Sequence, residues 1–257
     1  MKKSLLLIVL AALFISACSS GAPKGIEIAE VVFAKELSEN FEPVDSTEEF
    51  YPDETINVSV RIPGRPREGV LAARFLYMND LIAETSIDFG QENSDLLFSV
   101  GQDTFTGFYL THDDPLYISP LYNVELLVDG KSIGMYPYTV IPPMDAIPTV
   151  LRSSMFAAGV TDAIDPVDEK NDFSSSEVVH FIGDGDFGRM SYLQADWFLN
   201  SGEQITDCTA GITVDENLPD DRFYFSCELD AGWPAGEHKL VLTIDDEKVT
   251  EETFTVQ

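Results

Sequence analysis

The chain has 257 residues, and its 45 acidic side chains outnumber its 15 basic ones, giving a formal net charge of −30 at pH 7. Such a chain does not bind nucleic acid or an anionic bilayer by charge, because the phosphate groups of either partner repel it. Its length is enough for one large domain or two ordinary ones.

Residues 1–17 have the features of a signal peptide. Two lysines precede an apolar run, residues 5–15, that is too short for a membrane-spanning helix of about 20 residues. The run leads into Ile15-Ser16-Ala17-Cys18, which resembles the lipobox of bacterial lipoproteins. The alternative is an ordinary signal peptide followed by an unrelated cysteine.

The lipobox resemblance implies a lipid anchor at Cys18, which in that family is acylated on its sulfur and, after cleavage, on its amino group. Stable anchoring needs more than one acyl chain, and a three-chain cysteine satisfies that need. By resemblance to Gram-negative sorting, Ser19 favours the outer membrane over the inner. The small, polar stretch 18–25 predicts a short flexible tether. We therefore expect a lipid-anchored protein of the bacterial envelope that faces either the periplasm or the surface.

The rest of the chain contains an internal duplication. Residues 32–50 align without a gap to residues 155–173, with a constant offset of 123 and six identities in 19 positions. The identical residues are Phe33, Ala34, Pro43, Val44, Asp45 and Phe50, matched by Phe156, Ala157, Pro166, Val167, Asp168 and Phe173. The duplication predicts two repeats, residues 26–140 and 149–257. Between them, residues 141–148 carry three prolines, which predict a stiff and extended linker.

Both repeats show the period-two alternation of strands with one buried face, most clearly in residues 56–62 and 122–128. About seven short strands are predicted in each repeat. This size and strand count favour an all-β fold of two tandem immunoglobulin-like β-sandwiches. Tyr122 begins a penultimate strand and resembles the tyrosine corner of such domains, although its counterpart in the second repeat is His238. The alternative for Tyr122 is an ordinary inward-facing aromatic residue.

Cys208 and Cys227 remain as an even pair in an exported protein, which favours a structural disulfide. A bridge that closes about 20 residues stabilises a fold by roughly 3 kcal/mol in the chain-entropy model. The alternatives are two buried free thiols or a metal-binding pair. A metal pair is disfavoured because no histidine lies nearby in the sequence.

The acidity of the chain has two explanations. It keeps a β-protein soluble and protects its edge strands from pairing with other molecules. The alternative is calcium binding by two acidic loops, residues 183–188 and 215–221, because calcium takes six to eight oxygen ligands. The candidate ligands are Asp184, Asp186, Asp215, Asp220 and Asp221. The first loop begins like an EF-hand loop but lacks its third acid and its distal glutamate.

The two repeats also differ in local charge. Four arginines fall within fourteen residues of the first repeat, where the aligned stretch of the second is acidic. This candidate interaction patch consists of Arg61, Arg65, Arg67 and Arg74 against Asp184 and Asp186. One hypothesis is that the two charged faces are complementary, within one chain or between molecules. The alternative is drift of the loops after duplication.

The sequence contains no catalytic motif, since its three histidines are far apart and none belongs to a metal-ligand pattern. We therefore expect a non-catalytic binding or adaptor module, without a cofactor, that acts through contact with a protein partner of the envelope. The alternative is a carbohydrate-binding or adhesin-like surface protein, which would need exposed aromatic side chains on one face.

Overall fold

The computed structural model describes residues 25–90 and 97–257, so the predicted signal peptide and Cys18 lie outside the described residues. The regular structure of the described part consists of strands and one short 3₁₀ turn, Thr206–Cys208, which confirms the predicted all-β class. Over the same ranges, the chain forms no helix that is long and apolar enough to cross a membrane.

The strands fall into two groups, one on each side of the predicted linker. The first ten are β1 (Glu30–Leu37), β2 (Pro43–Ser46), β3 (Glu49–Phe50), β4 (Ile56–Ile62), β5 (Val70–Tyr77), β6 (Asp80–Asp88), β7 (Phe98–Val100), β8 (Asp103–Leu110), β9 (Ser119–Val128) and β10 (Lys131–Val140). The other nine are β11 (Val150–Val160), β12 (Pro166–Glu169), β13 (Asp172–Phe173), β14 (Val179–Phe187), β15 (Tyr192–Phe198), β16 (Ala210–Thr213), β17 (Leu218–Cys227), β18 (Gly236–Ile244) and β19 (Glu247–Val256).

Each group forms a sandwich of two sheets around its own hydrophobic core. In domain 1, which is β1–β10, the sheet orders are β2-β1-β4-β8-β7 and β3-β10-β9-β5-β6. In domain 2, which is β11–β19, they are β12-β11-β14-β17 and β13-β19-β18-β15-β16. The pairs β3–β10 and β13–β19 are parallel, whereas the other strand pairs are antiparallel.

This strand order is immunoglobulin-like. The first sheet of domain 1 contains strands A, B, E and D of that fold (β1, β4, β8 and β7), and the second contains C′, C, F and G (β6, β5, β9 and β10). The fold predicted from strand count and alternation is therefore confirmed. Domain 2, all of which the structure describes, differs because it has no strand at the D position beyond β17.

The duplicated motif forms the β1–β2 hairpin of domain 1 and the β11–β12 hairpin of domain 2. Phe41 and Ile164 occupy the same place in the two hairpin loops and have nearly equal positive φ angles of 61° and 59°. In each loop a hydroxyl group accepts a backbone N–H four residues on, from Glu42 to Ser38 Oγ and from Asp165 to Thr161 Oγ1. The motif therefore encodes a hairpin geometry that is common to both domains.

This hairpin explains why β4 is buried on both faces, although its alternation predicted only one buried face. Phe41 folds over the outer face of the sheet, where its carbonyl oxygen accepts a hydrogen bond from Ser59 Oγ at 2.6 Å. Asn57 Nδ2 donates to the carbonyl oxygen of Lys35 at 2.7 Å. The polar residues of the strand are therefore buried under a loop that satisfies their hydrogen bonds.

Tyr122 and His238 make equivalent corner hydrogen bonds. The Tyr122 hydroxyl donates to the carbonyl oxygen of Tyr117 at 3.1 Å, and His238 Nε2 donates to that of Pro234 at 2.7 Å. A carbonyl oxygen only accepts, so His238 carries a proton on Nε2. Domain 2 thus keeps the corner bond even though the residue type has changed.

We expect Tyr122→Phe to lower the free energy of unfolding by about 1 kcal/mol, because it removes the hydroxyl of a buried hydrogen bond and keeps the ring. Tyr138→Phe is the matched control, since Tyr138 is equally buried and its hydroxyl has no partner in the described part of the chain. We expect this control to be neutral or stabilising. Urea unfolding measures both values, and equal losses in the two variants would contradict the corner assignment.

Candidate functional site

The outer face of the β10-β9-β5-β6 sheet of domain 1 is apolar. In β5 the alternation turns Leu71, Ala73 and Phe75 into the core, so that Ala72 and Leu76 point to the other side. Strand pairing places Leu127 of β9 beside Ala72, and Leu81 of β6 beside Leu76. We call this surface the apolar face; its members are Ala72, Leu76, Leu81, Leu127, Ile133 and Met135.

Members of the apolar face combine burial at the centre with exposure at the rim. Leu127 is only 4% exposed although it lies outside the hydrophobic core of the sandwich. Leu81, Ile133 and Met135 are 56%, 43% and 46% exposed. An apolar surface of this kind on a soluble domain marks a contact with another molecule more often than chance exposure does.

The charged side chains on this face pair with one another, with two carboxylates around one arginine. Arg74 Nε donates to Glu84 at 2.8 Å, and its Nη1 lies 3.6 Å from a carboxylate oxygen of Glu125. The hydrogen bond to Glu84 is the main cause that raises the pKa of Arg74 above its ordinary value. Because Arg74 already pairs with carboxylates of its own sheet, the apolar side chains around it are the part of this surface that lacks a contact within the domain.

Domain 2 has a polar surface at the equivalent place. The registers of the sheets match Ala72 with Gln194, Leu127 with Thr243 and Met135 with Glu251. The polar residues of domain 2 bond to one another: Glu251 pairs with Lys239 and Lys248, and Asp196 accepts hydrogen bonds from Gln194 and Gln204. Phe198 and Val249 of domain 2 stay apolar where domain 1 has Leu76 and Ile133, so the outer surface of domain 2 is more polar than the apolar face of domain 1 but still contains apolar side chains.

The structure does not bring the predicted basic and acidic patches together. Arg61 pairs within domain 1, with Glu30 at 2.9 Å and Asp103 at 3.0 Å. Arg65 approaches the carbonyl oxygen of Gly101 at 3.5 Å, and Arg67 is exposed in the turn between β4 and β5. Arg74 lies on the other sheet, in the apolar face.

The acidic half of that patch is neutralised inside domain 2. Asp184 and Asp186 lie on the outer face of β14, where both approach Arg152, and Asp184 also pairs with Arg222. The complementarity between the two stretches is therefore absent within this chain. Arg61 and Arg74 of the basic stretch, and both aspartates of the acidic one, pair with oppositely charged residues of their own domain.

The calcium candidates also have protein partners. Residues 183–188 were interpreted as a loop, but 183–187 belong to strand β14, where glycine admits the neighbouring Phe223 ring and the Val150 carbonyl. Asp184, Asp186 and Asp220 surround the guanidinium group of Arg152, with Asp220 at 2.5 Å. The remaining candidates, Asp215 and Asp221, are exposed, and the described residues contain no cluster of three or more potential metal ligands.

The predicted disulfide between Cys208 and Cys227 is present, with a Cα–Cα distance of 5.2 Å. Cys208 belongs to the 3₁₀ turn before β16, and Cys227 is the last residue of β17. The bond therefore links the edges of the two opposing sheets of domain 2.

Tyrosines form the joint between the domains. The Tyr77 hydroxyl donates to Asp246 Oδ2 at 2.8 Å, and the Tyr117 ring centre lies 4.9 Å from that of Tyr192. Beside this contact, a cleft of about 590 Å³ lies between the linker, the end of β10 and the β18–β19 turn. The linker itself is held by domain 2, because Asn217 accepts from the backbone of Ile147 and donates to that of Asp145.

The alternative of a carbohydrate-binding protein needs exposed aromatic side chains on one face, but several aromatic residues of both domains lie in the core or in this joint. Tyr122, Tyr138 and Trp233 are buried, and Tyr117 packs between Tyr77 and Tyr192. The exposed aromatics of the described ranges include Tyr224 in domain 2 and, in domain 1, Phe98 and Tyr109, whose rings both pack against Phe41 on the outer face of the β2-β1-β4-β8-β7 sheet.

A serine–histidine contact, invisible in the sequence, lies on the outer face of domain 2. Ser226 Oγ is 2.7 Å from His180 Nδ1, and desolvation lowers the pKa of this imidazole. In the described part of the chain no carboxylate hydrogen-bonds the other ring nitrogen, as a third group would in a serine nucleophile triad.

Comparison with known proteins yields structural likeness only. No protein-family model and no curated protein matches the chain. An immunoglobulin-like protein from Pseudomonas aeruginosa is 10% identical with a TM-score of 0.33, covering 43% of this chain and 98% of that chain. Red sea bream transglutaminase is 13% identical with a TM-score of 0.29, covering 91% of this chain and 31% of that chain. The immunoglobulin-like assignment accordingly depends on the strand order described above.

Asp245, in the β18–β19 turn beside the interdomain cleft, is the acid whose ionisation the fold opposes. Burial raises its pKa from 3.8 to about 6, although it accepts a hydrogen bond from the Tyr192 backbone at 2.8 Å. The folded state binds the proton of Asp245 more tightly than the unfolded state does, so protonation of Asp245 stabilises the fold. This stabilisation is complete below pH 3.8. It is lost as the pH rises towards 6.

We expect Asp245→Asn to remove the cost of burying an ionised carboxylate above pH 6, because the amide oxygen still accepts the Tyr192 N–H but carries no charge. The variant and the natural protein should have similar urea midpoints near pH 4. By pH 7 the variant should be the more stable, with the difference developing between about pH 4 and pH 6. A difference that stays constant over that range would contradict the raised pKa.

Proposed function

We propose that this chain is a lipid-anchored, non-catalytic binding protein of the bacterial envelope, which captures a protein partner on the apolar face of domain 1. The observation that carries the proposal is the contrast between equivalent positions. Leu127 and Met135 occupy places where domain 2 has Thr243 and Glu251. Because both domains have the same fold, folding alone does not require an apolar outer surface here.

The character of this surface favours a protein over a sugar. Binding sites for sugars rely on exposed aromatic rings, whereas the apolar face is built from aliphatic side chains and methionine. Methionine is flexible and polarisable, which suits a contact surface that adapts to a partner. With a net charge of −30, the chain should attract partners whose apolar contact region has a basic rim.

The arrangement of the domains supports an anchor at the amino-terminal end. Ile26 packs beside Gly69, next to the β9–β10 turn of domain 1. Strand β5 runs from Val70 at that end to Tyr77 at the joint with domain 2. A lipid on Cys18 would therefore hold domain 1 close to the outer membrane and domain 2 farther from it.

Cys18→Ser should release the protein from the membrane, because three acyl chains supply anchoring that the acidic domains cannot replace. Fractionation of cells should find the variant in the soluble periplasm and the natural protein in the outer membrane. A variant that lacks only the Cys208–Cys227 bond should stay in the membrane. Retention of Cys18→Ser in the membrane would contradict the anchor.

A photoreactive residue at position 133 in intact cells should give a discrete protein adduct. Position 249 is the matched control, since Val249 is as exposed as Ile133, at 43%, but lies on the polar face of domain 2. Adding Met135→Glu, which installs the residue of domain 2, should weaken the adduct by about fivefold, or roughly 1 kcal/mol. Equal adducts from positions 133 and 249, or none from either, would contradict the proposed face.

A further inference from the structure

One edge of the first sheet of domain 2, formed by β17, is unpaired. This strand of ten residues pairs with β14 along one side only, and no other strand of the described chain follows it in the sheet. Exposed edges of this length pair readily with other chains, and proteins normally shorten, charge or cover them. In β17 the first half carries a proline and three charges, at residues 219–222, whereas the second half, residues 223–227, is uncharged and its free side is open.

Domain 1 covers the equivalent edge with a strand of its own. Strand β8 pairs with β4 on one side and with β7 on the other, where Phe98 faces Phe105 and Val100 faces Asp103. Fourteen residues connect β6 to β8, but only four connect β16 to β17. Domain 2 therefore lacks the segment from which strand D is made in domain 1.

The missing strand leaves a groove beside the edge. A cavity of about 360 Å³ opens between β16 and β17, with Phe187, Leu193 and Phe223 of the core in its wall. Ile212, which is 40% exposed, forms its lip. The Cys208–Cys227 bond closes the far end of the gap, so the groove is open where β17 begins.

The rim of the groove is acidic. Asp215 and Glu216 are exposed and line it, and Asp220 and Asp221 follow on β17 itself. Arg222 also lines the groove, but it is paired with Asp165 and Asp184. Two copies of the chain would repel one another, because each has a net charge of −30. The charge therefore disfavours edge-to-edge dimers and favours a basic occupant.

We propose that β17 binds an extended segment of a partner protein, which adds as a strand in the place of the absent strand D. The backbone of the segment pairs with β17, one of its apolar side chains enters the groove, and its basic residues face Asp215 and Glu216. This is the β-augmentation mode of peptide recognition, in which main-chain hydrogen bonds give affinity and pockets give specificity. The site is separate from the apolar face and does not depend on that face having a partner.

The test uses the full mature chain and a labelled ten-residue peptide that alternates lysine with valine around one phenylalanine. The control peptide keeps the charge but has proline at two of the valine positions, which removes backbone donors. At about 0.15 M salt, where charge attraction extends only about 8 Å, we expect the control to bind at least about tenfold more weakly. Amide exchange in β17 should slow when the first peptide binds, whereas exchange in β8, already covered by β7, should not change.

The double variant Asp215→Lys with Glu216→Lys should bind the first peptide about tenfold more weakly than the natural chain does. The matched control is Glu203→Lys with Glu237→Lys, which makes the same charge change at exposed residues away from the groove and should have little effect. Three results would overturn the proposal: equal binding of both peptides, unchanged amide exchange in β17, or self-association of the chain through β17. Because the apolar face plays no part in these measurements, a failure here leaves the proposed function to its own test.

Discussion

A β-sandwich must close the gap between its two sheets along both sides, and in domain 2 the Cys208–Cys227 bond does this on one of them. In domain 1 the same side carries strand β7, which covers the edge of β8. A single covalent link holds the two edges at one point, stabilising the fold by roughly 3 kcal/mol, but satisfies no backbone group along β17. The edge of β17 is open because domain 2 has the disulfide bond where domain 1 has strand β7.

The two copies therefore expose different surfaces. Domain 1 has a covered edge and an apolar outer face, whereas domain 2 has a more polar outer face and an open edge with a groove beside it. The hydrogen bond from Tyr77 to Asp246 and the packing of Tyr117 on Tyr192 join the domains end to end. If both proposals hold, the duplicated scaffold would present two unlike binding surfaces at different distances from a lipid anchor.

Much of this architecture could be predicted from the sequence, because alternation and duplication are local patterns. They identified the all-β class, the β9 residues from Tyr122 to Val128 and the disulfide partners. Alternation and duplication do not predict tertiary contacts. The gap-free alignment of the two repeats does not match Lys35 with Lys170. In the structure, however, the two lysines lie 5.1 Å above the equivalent rings of Phe50 and Phe173. The stretch from Gly183 was misread because glycine and aspartate also occur in strands that neighbouring groups approach closely. The open edge depends on the absence of a strand beside β17, and a local sequence pattern does not show which strands pair.

The most direct measurement is hydrogen exchange of individual backbone amides by NMR in the full chain with its disulfide intact. Because β17 pairs only with β14, the account predicts alternating protection along Leu218–Cys227, with every second amide exchanging quickly. Strand β4, which lies between β1 and β8, should be protected at every strand-paired amide. Uniform protection along β17 would mean that its edge is covered in the free protein, and would contradict the account.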